Sequence, residues 1–280
     1  MFFSEDRIRV VRRMILSKDP AIKQKALDEL LPYQRSDFEG ILEAMDGLPV
    51  TVRLLDPPLH EFLPAPELVD QSFADDVGLA SVEDVIQSIR SMEEVNPMLG
   101  LRGCRLGVIL PELVIMQTRA LIEAALNNKY NKGLKPKPEL MIPLVSTVTE
   151  FSHQLKLIHQ TAQAIFAERN QTINYKVGTM IEVPRAALTA EAIAAAGAEF
   201  FSYGTHSYYM THIYLIPHNS LSYYTLNLTC IGTNDLTQMT FGFSRDDVGT
   251  FLPVYLKNNL LEDDPFEGKL RLYIRIRLCI

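Results

Sequence analysis

The feature that most constrains the fold of this 280-residue chain is a regular alternation of apolar runs and helical segments that starts near its midpoint. Strand-like runs lie at residues 140–145, 177–182 and 199–204, and the intervening residues 149–169 and 185–196 have helical character. Strands that alternate with helices of this length form βα units and a parallel sheet. Because the runs are almost continuously apolar, we expect the sheet to be covered on both faces. The pattern predicts an α/β fold, and the chain length fits one β/α barrel of about 250 residues.

The region before this alternation is mostly helical. A short β-branched run at residues 50–55, bounded by prolines, predicts one strand there. Helices are expected where a capping residue or a first-turn proline precedes an amphipathic stretch. Four helices are predicted in this way: one capped by Ser4 and extending to about residue 17, one capped by Ser36 or Asp37 and extending to residue 45, one capped by Ser81 and extending to about residue 94, and one that starts at Pro111 and continues over residues 112–128.

Charge and composition exclude several classes of protein. The chain has 27 Lys and Arg against 34 Asp and Glu, a net charge of −7, which argues against a nucleic-acid-binding protein with its usual basic face. With 47% hydrophobic residues, the chain as a whole is not predicted to be disordered. Cys104, Cys230 and Cys279 are far apart and odd in number, so we expect no disulfide framework or zinc site, and a reducing intracellular setting. No targeting signal is visible, and the expected location is the cytoplasm or the plastid stroma.

Two segments depart from the rest in composition. Between Gly204 and Ile231 the sequence contains no Asp, Glu, Lys or Arg, and it holds five of the eleven tyrosines. Its histidines, Pro217, Asn219 and Ser220 interrupt any apolar span, which argues against a transmembrane segment. At the C-terminus, residues 269–280 alternate basic and apolar residues with a period of two, as in a strand without a visible partner.

Polar residues at the ends of the predicted strands are the candidates for chemistry. In a parallel β/α barrel, functional side chains gather at the carboxyl ends of strands, which here selects Arg53, Glu182 and Asp235. Two carboxylates suit a hard cation such as Mg²⁺, and an arginine suits a phosphate or a carboxylate. Gly232 and Asn234 precede a predicted helix at residues 235–240 and offer backbone N–H groups to an anion. The alternative is structural: Glu182 caps the next helix and Arg53 forms an ion pair.

Several longer motifs occur along the chain in a fixed order. They are VTVRLLDPPLHEF (residues 50–62), NPMLG (96–100), RGCR (102–105), GTMIE (178–182), PRAAL (184–188), GTNDLTQ (232–238) and TFGFSRDD (240–247). Together these motifs resemble those of pyruvate, phosphate dikinases, members of the PEP-utilising enzyme family. The Gly-Thr-Asn-Asp string also occurs in the neighbouring phosphoenolpyruvate synthases and phosphotransferase-system Enzyme I, whereas the first and last motifs favour the dikinase.

The resemblance implies a PEP/pyruvate-binding (β/α)8 TIM-type barrel of a phosphotransferase that interconverts ATP, phosphate and pyruvate with AMP, diphosphate and phosphoenolpyruvate. It implies that Arg53 holds the transferring phosphoryl group and that Glu182 and Asp235 hold Mg²⁺. It also implies that Glu182 contacts substrate, and that Gly232, Thr233, Asn234 and Asp235 line the pyruvate carboxylate and enolate oxygen. Arg102 and Arg105 are further candidates around this site. A homodimer like those of the family is also expected.

Departures from the family pattern limit what this chain is expected to do alone. The barrel is expected over residues 1–267, without its first and last strands, and residues 268–280 form a tail foreign to the family. In relatives a Phe-Phe-Ser-(Phe/Tyr)-Gly-Thr string leads directly into Asn-Asp, whereas residues 204–231 interrupt it here. A retained intron or a gene-model error explains this tract; a long lid loop is the alternative.

No catalytic residue is assigned, because the family histidine and cysteine motifs are not found around the histidines and cysteines of this sequence. Turnover by the chain alone is therefore not expected, and ATP and phosphate are expected to bind to other domains. The remaining alternatives are a phosphoenolpyruvate synthase-like enzyme, or a non-catalytic fragment or pseudogene product that retains only the metal site.

Overall fold

The computed structural model describes residues 4–93, 96, 98–203, 213–215, 224–230, 234–261 and 263–266. Within these ranges the chain forms eleven α-helices and six β-strands. The helices are α1 (Glu5–Leu16), α2 (Pro20–Ala44), α3 (Gln71–Val77), α4 (Val82–Met92), α5 (Gly103–Ile109), α6 (Pro111–Lys132), α7 (Val148–Arg169), α8 (Pro184–Leu188), α9 (Ala190–Ala195), α10 (Asn234–Phe241) and α11 (Leu252–Lys257). The strands are β1 (Pro49–Arg53), β2 (Lys137–Ile142), β3 (Lys176–Ile181), β4 (Phe200–Tyr203), β5 (Ile213–Leu215) and β6 (Tyr224–Cys230).

Two compact units divide the chain. Unit 1 comprises Met1–Leu140 and Lys156–Tyr175, and unit 2 comprises Met141–Leu155 and Lys176–Ile280. The division passes through β2 and through α7, so each of these two elements contributes residues to both units.

In unit 1, α2 and α6 pack together along polar contacts with a nearly constant sequence offset. Arg35 Nη1 lies 2.6 Å from Glu123 Oε2, and Lys132 Nζ lies 2.6 Å from Glu43 Oε2. The partners are 88 residues apart in the first contact and 89 in the second. Because residue numbers rise together along both helices, α2 and α6 run in the same direction.

The strands that follow these two helices repeat the same offset. In unit 1, β1 is the sheet neighbour of β2, and Thr51 Oγ1 donates a hydrogen bond of 2.7 Å to Glu139 Oε2, again 88 residues away. Helix α2 with β1 and helix α6 with β2 are therefore equivalent repeats placed side by side. The alternation of helix and strand therefore begins earlier in the chain than the sequence pattern predicts.

The apolar core of unit 1 lies where α1 packs against α2 and the start of α6. Its centre consists of side chains that are almost fully removed from water, including Met14, Leu27, Leu30, Phe62, Leu106 and Leu113. A second cluster joins the end of α1 to α3 and α4 through Leu16, Val77, Val85 and Ile89. The helices of the first third are thus held by burial of one face each, which is the main source of helix stability in proteins.

The sheet in unit 2 is parallel through its centre. Its order is β2-β3-β4-β6-β5, with β3 parallel to β4, β4 parallel to β6, and β5 antiparallel to β6. Thr179 pairs with Phe201, and Tyr203 pairs with Cys230. Every residue of β2 and of β3 after the first is buried, as expected for strands covered on both faces.

The mixed α/β class and the parallel sheet are confirmed, and several boundaries are corrected. A helix capped at Ser36 or Asp37 is wrong: both residues lie inside α2, which starts after Asp19, whose side chain accepts a 2.8 Å hydrogen bond from the Ala21 N–H. The expected helix at residues 185–196 is two short helices that meet at Thr189. Ser4 occupies the N-cap position of α1 without a side-chain cap bond, whereas Ser81 caps α4 as predicted.

Part of the charge-free tract has strand structure. Two of its segments, β5 and β6, join the sheet beside β4. The rest of the tract and the tail at residues 268–280 lie outside the described residues. Of the helices described above, none has both the length and the apolarity needed to cross a membrane.

Gly178 shows how closely β3 and β4 approach. A Cβ atom at this position would lie 2.3 Å from the carbonyl oxygen of Phe200 and 2.6 Å from two carbons of its ring. The carbonyl group of Phe200 belongs to the backbone of a buried neighbouring strand, so it cannot move away from an added Cβ atom. The glycine of the GTMIE motif is therefore required by packing.

We expect Gly178→Ala to lower the free energy of unfolding by at least about 2 kcal/mol, because it overpacks a buried strand pair. Gly40→Ala is the matched control, since Gly40 lies in α2 with nothing within 4 Å of the added Cβ. Alanine there should stabilise the helix by up to about 1 kcal/mol. Chemical denaturation of the three proteins measures both effects, and equal midpoints for Gly178→Ala and the wild type would contradict the prediction.

Candidate functional site

In unit 1, the candidate residue Arg53 is the last residue of β1 and lies beside a buried carboxylate. Its Nη1 is 3.1 Å from Oδ2 of Asp56, and the same oxygen is 2.5 Å from Nη2 of Arg102. The side chain of Asp56 is 2% exposed and that of Arg53 is 46% exposed. The structural alternative for Arg53, an ion pair, is therefore present, and it leaves much of the guanidinium open to solvent.

Arg102 and Arg105, the two arginines of the RGCR motif, have different surroundings. Arg102 also donates from Nε to the backbone carbonyl of Asp56 at 3.3 Å, so it grips this residue at two points. Arg105 Nη1 donates to the carbonyl oxygens of Leu99 and Gly100 at 2.9 and 2.8 Å. Arg102 thus belongs to the cluster around Asp56, whereas Arg105 holds the loop before α5.

In unit 2, the candidate Glu182 directly follows β3 and is 3% exposed. Its Oε1 accepts a 2.6 Å hydrogen bond from the backbone N–H of Leu144, which lies just beyond the end of β2. Leu144 has a φ of +60°, a left-handed conformation that non-glycine residues seldom adopt. The buried carboxylate therefore fixes the conformation of the loop that leaves the neighbouring strand.

The same loop ends in a complete capping box at the start of α7. Thr147 Oγ1 accepts from the Glu150 N–H at 3.2 Å, and Glu150 Oε2 accepts from the Thr147 N–H at 2.9 Å. The backbone N–H and hydroxyl of Ser146 also donate to Glu150 Oε2 at 2.9 and 2.7 Å. Partial burial raises the pKa of Glu150, but these hydrogen bonds outweigh it, so the net pKa lies below that of a free glutamate.

Asn234 and Asp235 form the first turn of α10, in unit 2. Asn234 Oδ1 accepts a 3.2 Å hydrogen bond from Arg245 Nη1, and the backbone N–H of Arg245 donates to Gln238 Oε1 at 3.1 Å. The side chain of Asp235 is partly exposed. Gly232 and Thr233, which are also candidates, lie outside the described residues.

Unit 2 contains the two carboxylates that are candidates for holding a metal ion, Glu182 and Asp235. Within the described ranges, no group of three or more His, Cys, Asp and Glu side chains is placed to hold a metal. Magnesium, however, is usually bound by one or two carboxylates, with water and substrate oxygens as its other ligands. Glu182 and Asp235 are hard oxygen donors of this kind, so the residues present fit Mg²⁺ in chemical type.

Some residues of these clusters escaped the sequence-based selection. Asp56 lies within the first motif, but its role cannot be predicted there, because nothing in a local pattern shows that a side chain 46 residues away will pair with it. The Thr147–Glu150 box has a detectable signal, Thr-x-x-Glu before an apolar stretch. The left-handed conformation of Leu144 has none, since leucine is a poor residue for it.

Comparison with known proteins gives consistent matches. The family described as "PEP-utilising enzyme, PEP-binding domain" matches residues 1–209. The chain is 52% identical over 270 residues to "Pyruvate, phosphate dikinase 1, chloroplastic" of Oryza sativa subsp. japonica. The aligned region covers 95% of this chain and 25% of the rice protein. It is 51% identical over 269 residues to the protein of that name in Arabidopsis thaliana, and 52% identical over 270 residues to "Pyruvate, phosphate dikinase 2" of Zea mays. The chain spans about a quarter of the length of these relatives.

The capping box gives a pH-dependent prediction. We expect Glu150→Ala to lower the free energy of unfolding by about 1 kcal/mol at pH 7, the usual value of a helix cap. Because the folded-state pKa of Glu150 is lowered, its stabilisation is present above the free glutamate pKa of about 4.3 and is lost as the pH falls through the folded-state pKa. Denaturation curves between pH 7 and pH 3 should show the difference from the wild type shrinking below about pH 4.

Glu150→Gln is the matched control for this experiment, since it keeps an acceptor for the Ser146 and Thr147 donors and removes only the charge. Its stability should match the wild type at the acidic end of the range. A difference between wild type and Glu150→Ala that stays constant with pH would show that the carboxylate charge is not involved.

Proposed function

We propose that this chain, which belongs to the PEP-binding domain family of PEP-utilising enzymes, is the phosphoenolpyruvate- and pyruvate-binding part of a pyruvate, phosphate dikinase. The main support is a sequence identity of 51–52%, over 95% of the chain, to proteins of that name. The complete enzyme would interconvert ATP, phosphate and pyruvate with AMP, diphosphate and phosphoenolpyruvate, with ATP and phosphate bound by other domains. The names of these relatives favour the dikinase over a phosphoenolpyruvate synthase.

Arg53 is assigned to the phosphoryl group. Its guanidinium is nearly half exposed at the end of a strand, while one nitrogen stays near Asp56. The remaining N–H donors of a guanidinium match the oxygens of a phosphoryl group in a two-point contact. This combination of anchorage and exposure supports the assignment.

Glu182 and Asp235 are assigned to Mg²⁺, and Glu182 also to substrate. The metal, when bound, would act as a Lewis acid that stabilises the enolate oxygen of pyruvate. Glu182 would contribute a negative charge in a buried setting, where its interaction with a cation is strong. Its hydrogen bond to the Leu144 N–H would hold it in place before the ion arrives.

The segment from Gly232 to Asp235 is assigned to the carboxylate and the enolate oxygen of pyruvate. Amide N–H groups and an asparagine are suitable donors to both oxygens, and donors aimed at a developing oxyanion are a major source of rate enhancement. Support comes from the placement of Asn234 in the first turn of α10, with its Oδ1 accepting from Arg245. The amide nitrogen of Asn234 donates to Asp235 Oδ1 at 3.5 Å, which joins the two candidate residues within this turn.

For the architecture, we propose a partial (β/α)8 barrel over residues 1–267, interrupted at about residues 204–231 and followed by a tail foreign to the family. The repeated offset of 88 residues between successive αβ segments supports the barrel. The interruption is supported by the family match, which ends at residue 209, inside the charge-free tract. A plastid location is supported by the names of the rice and Arabidopsis relatives, and a homodimer stays a proposal.

The metal assignment predicts the heat of ligand binding. Calorimetry of the 280-residue chain with Mg²⁺ and oxalate, a mimic of the pyruvate enolate, should show binding that Glu182→Gln weakens at least about tenfold, since the charge of one ligand is lost. Glutamine is chosen because its oxygen still accepts from the Leu144 N–H. Asp235→Asn should have a similar effect.

Glu199→Gln is the matched control. Glu199 accepts a 3.0 Å hydrogen bond from the Val177 N–H, so it too is a glutamate bound to a backbone N–H, but at the opposite end of β3. Its substitution should leave the affinity for oxalate unchanged. Equal heats for the wild type and Glu182→Gln would overturn the metal assignment.

A further inference from the structure

The cluster of Arg53, Asp56 and Arg102 has a property that an ordinary surface ion pair lacks. Its carboxylate is 2% exposed, whereas one of its two arginines, Arg102, is 13% exposed and the other, Arg53, is 46% exposed. The charged groups are therefore arranged from inside to outside, with the carboxylate deepest and Arg53 nearest to water. All three residues belong to unit 1.

The order of contacts shows which group holds which. Arg102 grips Asp56 through both the side chain and the backbone, and the backbone N–H of Gly103 donates to the same backbone carbonyl at 3.3 Å. Asp56 is thus fixed in position independently of Arg53. Among the described residues, Asp56 is the only ion-pair partner of Arg53, and they are joined through Nη1.

The buried carboxylate is also incompletely satisfied. Oδ1 of Asp56 is buried without a hydrogen-bond partner in the described part of the chain, and both arginines approach Oδ2. An unpaired buried acceptor is costly, and a side chain serving stability alone would gain by pairing both oxygens. The two guanidiniums around one carboxylate leave an excess of positive charge on the side where Arg53 is exposed.

We propose that Asp56, clamped by Arg102, is a positioning residue that fixes the direction of the Arg53 guanidinium and so sets the affinity for a phosphoryl group. The inference rests on the proposed function, since it takes Arg53 as the phosphoryl-binding arginine. Asp56 acts through Arg53 and does not touch the ligand. An arginine held at one nitrogen loses less conformational freedom on binding, which strengthens binding of its remaining donors.

A double-mutant cycle on the 280-residue chain tests the proposal. The dissociation constant for phosphoenolpyruvate in the presence of Mg²⁺ is measured by calorimetry for the wild type, Asp56→Asn, Arg53→Ala and the double variant. Asp56→Asn should weaken phosphoenolpyruvate binding about tenfold in the wild type and less than about twofold in the Arg53→Ala background. Oxalate, which has no phosphoryl group, should bind the wild type and Asp56→Asn equally.

Two further variants separate positioning from folding. Glu123→Gln is the matched control, because Glu123 is a buried carboxylate of the same unit that contacts Arg35, Arg119 and Arg169. It should lower the unfolding temperature without changing the affinity for phosphoenolpyruvate. If Asp56→Asn does not fold, Arg102→Lys replaces it in the cycle, since it keeps the charge but loses the two-point grip.

Each outcome decides the question. Equal losses in the wild-type and Arg53→Ala backgrounds, or unchanged or tighter binding by Asp56→Asn, would overturn the positioning role and leave the proposed function standing. Absence of both phosphoenolpyruvate and oxalate binding by the wild type would overturn the proposed function and this inference with it. A loss confined to phosphoenolpyruvate and to chains that contain Arg53 is the result that supports it.

Discussion

The burial of carboxylates is the constraint on which much of this structure depends. Asp56, Glu123 and Glu182 are exposed by only 2 to 4%. A buried ion costs several kcal/mol unless partners compensate for lost water, so each carboxylate must be met by donors from another part of the chain. Asp56 and Glu123 are contacted by arginines, and Glu182 accepts a hydrogen bond from a backbone N–H. These contacts join residues that are 46, 88 and 38 positions apart in the sequence, respectively.

Some long-range contacts of this kind join equivalent positions in successive helix–strand repeats of the fold. The contact of Glu123 with Arg35, between two helices, spans 88 residues, and so does the contact of Glu139 with Thr51, between two strands. A repeat of helix and strand places equivalent positions side by side, so a polar residue in one repeat meets its partner in the next without any irregular backbone. In each unit, a candidate residue lies where a strand ends: Arg53 is the last residue of β1, and Glu182 directly follows β3.

Local sequence signals predicted the elements well where one signal dominated. The strands β1 to β4 were found from apolar runs, and α4 and α6 from Ser81 and Pro111, because these signals act within a few residues. The start of α2 was missed: Ser36 and Asp37 are good caps, but burial of Leu27, Leu30 and other residues on one face carries the helix through Pro32. The Asp56 cluster was missed for a different reason, since it is created by tertiary contacts, and Gly232 and Thr233 stay predictions.

The charge-free tract has a geometric consequence for the site. Tyr203 and Cys230 are register partners, so the parallel strands β4 and β6 end side by side at one sheet edge. In the sheet, β6 is the neighbour of β4, about 4.8 Å away. Asn234 and Asp235 still follow a strand end, but in a different strand position from the one expected without the tract. Because a misplacement of about 1 Å can cost about a hundredfold in rate, ligand binding is a better measure of this site than turnover.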